Sequence, residues 1–193
     1  MRISFDLDEV LFVDPNRYEI ENPPGRLAKL VFRERLRKGT VELIHELQNR
    51  GFEVWIYTSS FRSERYLKRL FHAYGVRFDG IVNGDRHNRE VQQGFNRRLP
   101  QKLPPHFRIS LHIDDEESVI RNSVNYGFRA LRVYEPDDEW ANKVIEEAER
   151  VRNLEERQQV YIAKAHRQAQ AAQAQNKVHA AEANKKAHAE QMH

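Results

Sequence analysis

Five short apolar runs, at residues 3–7, 53–57, 80–82, 108–113 and 130–134, punctuate the first two thirds of the chain, with amphipathic stretches between them. Runs this short read as buried strands, and their alternation with amphipathic segments is the pattern of strand–helix units that build a parallel sheet. The helical segments carry their own start and stop signals. Residues 40–51 place Leu43, Ile44 and Leu47 on one face, with Thr40 as the expected N-cap and Gly51 as the stop. A second helix is predicted over about 62–74, with Leu67, Leu70, Phe71 and Tyr74 on one face and Gly75 closing it. A third is predicted over 117–126, stopped by Gly127, and a fourth over about 138–150. At 193 residues and 39% hydrophobic content, the chain has material for one domain with a real core plus an appendage.

Two stretches break the alternation. Residues 13–38 contain the turn signals Asp14-Pro15-Asn16 and Asn22-Pro23-Pro24-Gly25, followed by a basic piece over 26–38. That piece reads as an amphipathic helix burying Leu27, Leu30, Val31 and Phe32, with a basic flap over an anionic substrate as the alternative. Residues 84–105 are polar, carry prolines at 100, 104 and 105, and read as a long loop, a length that tends to be functional in a compact domain. Beyond Ile162 the composition collapses onto Ala, Gln, Lys and His, which favours local helix but supplies no core. The expected organisation is therefore a domain over 1–150 and a helical or disordered tail over 151–193.

Charge follows that division. The tail holds seven Lys/Arg against four Asp/Glu, which leaves residues 1–150 with 25 of each, so the net +3 belongs to the tail. A balance of this kind is weak support for nucleic acid or another anionic surface, and the tail reads better as a solubilising or self-associating extension. The chain has no cysteine, which excludes disulfides, thiolate zinc sites and a Cys nucleophile. Any metal must sit on oxygen or imidazole. The N-terminus sets Arg2, Asp6, Asp8 and Glu9 among short apolar runs, which fits neither a signal peptide nor a membrane span, and a cytoplasmic protein with no membrane partner is expected.

The first run ends in acids, Phe5-Asp6-Leu7-Asp8-Glu9-Val10. In an extended segment residues 6 and 8 face the same side. Thr58, Ser59 and Ser60 follow the second run, and Asp114 with Asp115 follows the fourth. In an open parallel sheet all strand C-terminal ends share one edge, where the ligand crevice forms. Four carboxylates and a hydroxyl cluster thus converge there. Carboxylates so crowded repel one another unless a cation sits among them. Hard oxygen ligands without sulfur suit Mg²⁺, which keeps waters and accepts a phosphate oxygen. The chemistry that needs such an ion beside a spare carboxylate is phosphoryl transfer through a covalent Asp.

Asp6-Leu7-Asp8-Glu9-Val10 resembles the DxDx(T/V) motif of the haloacid dehalogenase superfamily, Trp55-Ile56-Tyr57-Thr58-Ser59 its second motif, and Leu111-His112-Ile113-Asp114-Asp115 its fourth. The resemblance covers about residues 1–135 and keeps the motifs in order. It implies Asp6 as the nucleophile and Asp8 as the acid and then base, with its backbone carbonyl on the metal. It also implies Thr58 and Ser59 at the transferring phosphoryl, and Asp115 on Mg²⁺ directly with Asp114 through water, or the reverse. The family's third motif is a lysine. Lys102, the only lysine between Lys68 and Lys143, is the candidate, with Arg86, Arg89, Arg97 and Arg98 as alternative charges. Glu9 departs from the family, which most often has Gly there.

The fold expected is a Rossmann-like α/β domain of three layers, with a central parallel sheet of about five strands, by resemblance in the order 5-4-1-2-3, and a small cap at about 13–38. The function expected is Mg²⁺-dependent phosphomonoester hydrolysis through an aspartyl phosphate. The small cap leaves the site open, so the phosphorylated substrate ranges from a small molecule or nucleotide to a nucleic-acid end or a phosphoprotein. The alternatives are a non-catalytic metal- or phosphate-binding interaction module and a polynucleotide-end phosphatase.

Overall fold

A computed structural model describes residues 1–23, 25, 31–93 and 99–190, with side chains left aside at 171 and 174–190. Five parallel strands, β1 (Arg2–Phe5), β2 (Glu53–Tyr57), β3 (Gly80–Val82), β4 (Leu111–Asp114) and β5 (Arg129–Arg132), form one sheet in the order β3-β2-β1-β4-β5. This is the Rossmann-like layout, and it has the expected order. The α-helices among the described residues are α1 (Thr40–Asn49), α2 (Glu64–Ala73), α3 (Gly84–His87), α4 (Glu117–Tyr126) and α5 (Trp140–Glu190). The chain divides into two compact units, Met1–Val151 and Arg152–His193.

The core of the first unit forms because β1, β2 and β4 each present an apolar face, Ile3 and Phe5, Val54 and Ile56, Leu111 and Ile113, and their helices present apolar stripes. Ile3, Phe5, Val54, Ile56, Leu111 and Ile113 are buried with Leu43, Ile44 and Leu47 of α1 and Leu67, Leu70 and Phe71 of α2. Trp140, Val144, Ala148 and Val151, on one stripe of the first turns of α5, join the same core. In the second unit the helix continues to Glu190, and Leu154, Val160, Tyr161 and Ile162 are exposed. Among the described residues no helix is long and apolar enough to cross a membrane.

Four local expectations change. Thr40 does not cap α1: Gly39, at φ 84°, occupies the N-cap, and Thr40 is buried as the first helical residue. The segment 31–38 is not helical beyond Val31. Leu36 and Arg37 instead bridge antiparallel to Phe12 and Ile20, with Val13 N–H bonded to the Arg35 carbonyl and Arg37 N–H to that of Leu11. Phe32 and Leu36 are buried, whereas Val31 is exposed; the rest of the predicted helix, 26–30, lies outside the described residues. The described parts of the predicted loop 84–105 are largely ordered turns: α3, capped by the Asn83 side chain, a π turn at Asn88–Gln92 and a 3₁₀ turn at Pro104–Phe107. The fourth apolar run begins its strand late because Arg108 ends that 3₁₀ turn with φ 55°.

The first strand also stops early, at Phe5. Asp6 extends the ladder by one bond, its N–H to the Ile113 carbonyl, and the chain then closes a tight turn in which Leu11 and Phe12 N–H both reach the Leu7 carbonyl. Glu9 sits in this turn at φ 61°. A Cβ-bearing residue pays about 1–2 kcal/mol for that left-handed conformation. Glu9→Gly is therefore expected to raise the unfolding free energy in urea by up to about 1 kcal/mol, after Gly's extra unfolded freedom is deducted. A lowered urea midpoint would show that the turn stores no such strain.

Candidate active site

The C-terminal ends of β1, β2 and β4 deliver Asp6, Thr58 and Asp114 to one edge of the sheet. One carboxylate oxygen from each of Asp6, Asp114 and Asp115 lies within 4.8 Å of the other two. Lys102 reaches into this cluster from the segment before β4. Its Nζ is 3.0 Å from Asp6 Oδ2 and also contacts Asp114 Oδ2, and the residue is 2% exposed. A lysine so placed forfeits its hydration, and only opposite charge returns the loss. Burial alone would lower the Lys102 pKa, but Asp6 and Asp114 outweigh it and hold the ammonium above its ordinary value.

The loop that carries Lys102 is pinned on both sides. Gln92 Nε2 donates to the Leu99 carbonyl at 2.9 Å, and Leu99 N–H donates to Gln92 Oε1 at 3.2 Å. On the other side, Leu103 N–H donates to the Tyr57 hydroxyl at 2.7 Å, and that hydroxyl lies 2.6 Å from His87 Nδ1. Burial lowers the His87 pKa. Tyr57, Val82, Val91, Leu99, Phe107 and Ile109 form a second small core beneath. Residues 84–93 and 99–107 thus form a built support for one ammonium group.

Asp114 is fully engaged. Its Oδ2 meets Lys102 and, at 2.8 Å, His112 Nε2, while its Oδ1 accepts the Glu116 N–H at 2.9 Å. His112 Nδ1 in turn lies 2.8 Å from Ser4 Oγ, its register partner on β1. Burial would raise the Asp114 pKa, but His112 and Lys102 hold it well below the usual carboxylate range. Asp115 goes the other way: burial and the facing acids Asp114, Asp6 and Glu9 push it up to about 7. Asp6 Oδ1 is buried with no hydrogen-bond partner.

A divalent cation fits these groups. Three carboxylates face one ammonium, an acceptor is orphaned, and one acid holds its proton near neutrality for want of positive charge. Asp6, Asp114 and Asp115 are the side chains that would hold it. The Asp8 side chain is not in this group. It is exposed, and Arg62 grips it with two bonds, Nη1 to Oδ2 at 2.8 Å and Nη2 to Oδ1 at 2.9 Å. Thr58 is buried, its N–H bonded to the Val82 carbonyl and its Oγ1 accepting the Ser60 N–H at 3.1 Å. Ser59 is exposed beside it, and its carbonyl is so close to Gly84 that a Cβ there would lie 2.7 Å away. Of the alternative charges, Arg86 pairs with Glu90 and Arg89 with the same acid, while Arg97 and Arg98 lie outside the described residues.

His112, Ser4, Arg62 and Glu34 were not singled out in the sequence. His112 left a signal, since it lies two residues before Asp114 on one strand and so on one face. Nothing local marks Arg62 or Glu34.

No protein-family model matches the chain, and no curated protein does. Among solved structures it is similar to a HAD-superfamily hydrolase, subfamily IA, variant 1, from Geobacter sulfurreducens PCA, at 16% identity over 68% of this chain and 88% of that one, TM-score 0.45. An uncharacterized protein from Listeria monocytogenes serotype 4b is similar at 20% identity over 72% and 83%, TM-score 0.46. The D,D-heptose 1,7-bisphosphate phosphatase from B. bronchiseptica, complexed with magnesium and phosphate, is similar at 12% identity over 76% and 98%, TM-score 0.44. Likenesses this distant say nothing of activity, and the fold stands on the sheet order itself.

The raised Asp115 pKa has a sign that can be tested. The folded protein holds this proton more tightly than the unfolded chain, so the associated stability is present below about pH 4 and lost as pH rises through about 7. A divalent cation bound there would take the proton's place, and its stabilising effect would grow over the same window. At a Mg²⁺ concentration about 100 times its Kd the gain is about 2.7 kcal/mol, or roughly 5–10 °C in Tm. The shift is expected at pH 8 and reduced at pH 5.5, and Asp115→Asn should abolish its pH dependence. No Mg²⁺-induced shift at either pH would contradict a metal site.

Proposed function

We propose that the chain is a Mg²⁺-dependent phosphomonoester hydrolase whose nucleophile is Asp6. The observation that carries the reading is the surroundings of Asp6: one oxygen on the buried Lys102 ammonium, the other orphaned, with Asp114 and Asp115 within metal-ligand reach. That arrangement leaves one oxygen of Asp6 without a partner beside a buried ammonium, at the sheet edge where an anionic phosphoryl group would need positive charge to approach. The motif resemblance supports the same roles.

In this reading an Asp6 oxygen attacks phosphorus as the ester P–O bond breaks, and Asp8 supplies the proton that the leaving oxygen takes. Water then attacks the aspartyl phosphate and gives a proton back to Asp8, and the bond from phosphorus to Asp6 breaks to free phosphate. Lys102, 3.0 Å from Asp6 Oδ2, orients the nucleophile before it attacks. Thr58 and Ser59, before the N-terminus of α2, are placed as donors to the phosphoryl oxygens. Bound Mg²⁺ would offset the carboxylate charge and draw the phosphoryl oxygens in.

Phosphate release from a panel of small phosphomonoesters, nucleotides, phosphorylated oligonucleotides and phosphopeptides is expected to require Mg²⁺ and to fall to background in Asp6→Asn with the fold intact. An Asp6→Asn protein as active as the parent would sink the mechanism. A polynucleotide end as the substrate would show as a KM that rises steeply with salt. Silence across the panel with Mg²⁺ binding retained would favour the non-catalytic binding module.

A further inference from the structure

Asp8, unlike Asp6, lies outside the carboxylate cluster and is held by Arg62, which is itself clamped. Arg62 Nε donates to Glu34 Oε1 at 2.8 Å, and its Nη1 donates to Ser60 Oγ at 2.8 Å as well as to Asp8. Its carbonyl accepts from Asn83 Nδ2 at 3.0 Å, and its guanidinium lies 5.5 Å over the Phe12 ring. The other Glu34 oxygen takes the Tyr66 hydroxyl of α2. A chain of contacts therefore runs from Tyr66 through Glu34 and Arg62 to both oxygens of Asp8. Asp8 and Glu34 also line one cavity of about 350 Å³, together with Phe12, Arg17 and Arg33. In the phosphatase reading that cavity is the space open to a leaving group beside Asp8.

A guanidinium anchored at Nε has both remaining nitrogens fixed in direction, and a two-pronged grip on a carboxylate sets its plane as well as its place. An exposed Asp in a turn has no such definition by itself. Packing explains the buried stem of Arg62 but not why its fork closes on an otherwise solvated acid.

We infer that Arg62, anchored by Glu34, is a positioning residue that orients Asp8 for proton transfer to the leaving oxygen and from water. The inference rests on the phosphatase reading above and assigns Arg62 no contact with the phosphoryl group. Its consequence is selective. A leaving group that needs no proton, such as p-nitrophenolate, escapes the requirement in the first step, whereas an alkoxide does not. Hydrolysis of the aspartyl phosphate needs Asp8 as base for every ester.

The test is stopped-flow and steady-state kinetics on the full chain with Mg²⁺, comparing p-nitrophenyl phosphate with an alkyl phosphate, for the parent, Arg62→Ala, Arg62→Lys and Glu34→Gln. In Arg62→Ala the alkyl ester is expected to lose on the order of a hundredfold or more in kcat, the usual worth of a placed acid. The p-nitrophenyl ester should keep a burst of one p-nitrophenolate per site within about tenfold of the parent rate, followed by slow turnover with a KM that falls along with kcat, and KM should rise for neither ester. Arg62→Lys keeps the charge but not the fork and should follow Arg62→Ala. Glu34→Gln should follow in the same direction by a smaller factor. Equal losses on both esters without a burst, a raised KM alone, or parental rates in Arg62→Lys would overturn the positioning role. An unchanged Mg²⁺-induced Tm shift in each variant is expected, and its loss would mean that Arg62 supports the metal cluster instead. A parent protein that releases no phosphate from either ester would overturn the phosphatase reading, and this inference with it.

Discussion

An ammonium group buried between two carboxylates organises this molecule. Lys102 is removed from water, and Asp6 and Asp114 are the reason that it can be. Such a group costs several kcal/mol to desolvate, and deleting one member leaves uncompensated charge. The surroundings follow from that requirement. Asp6 and Asp114 must come from adjacent central strands, β1 and β4, so that one cation can touch both. The chain must cross from β3 back to β4 along a path that presents a lysine inward, which the turns from Gly84 to Phe107 provide. Even the polar residues inside the sheet serve it: Ser4 and His112 bond to each other in register and steady the Asp114 oxygen that Lys102 uses.

The charge in the cluster is nevertheless unbalanced. Three carboxylates face one ammonium, and the excess appears as the raised pKa of Asp115 and the orphaned oxygen of Asp6. In the proposed reading a divalent cation would answer that imbalance, cancelling two negative charges and so admitting an anionic phosphoryl group. Asp8 stays outside this balance. Its charge is met by Arg62, on the opening side of the site, where proton traffic with a leaving group would pass. The site thus has a buried half, Lys102 with Asp6 and Asp114, and a more exposed half, Arg62 with Asp8, to which the proposed mechanism gives the proton transfers.

What could be read in the sequence was what is periodic or local. The five apolar runs give the strands, and the stripe Leu67, Leu70 and Phe71 gives α2 within two residues at its N-terminal end and one at its C-terminal end. Asp6, Asp114 and Asp115 were legible because acids at the ends of apolar runs fall on one sheet edge. Lys102 was reachable only through the family resemblance, since its burial depends on a turn-rich arm whose prolines suggest a loop. The extended pairing of 32–37 was hidden because its residues carry the spacing of a helix and the partners, Phe12 and Ile20, are set by the tertiary fold. Thr40 has good cap chemistry but lost the position to Gly39, whose left-handed φ the entering chain needs. Glu9, where the resembling family favours Gly, adopts a glycine-like φ of 61°. Arg62 and Glu34 meet Asp8 across long sequence separations, which no local pattern encodes.

The most direct test of the central claim is to find which residue carries the phosphoryl group. The protein would be mixed with a reactive small phosphoester in Mg²⁺, quenched, reduced with borohydride to fix any acyl phosphate as homoserine, and mapped by peptide mass spectrometry. Homoserine at position 6, dependent on both the phosphoester and Mg²⁺, is the expected result. Turnover without modification at position 6, or modification at another carboxylate, would contradict the account.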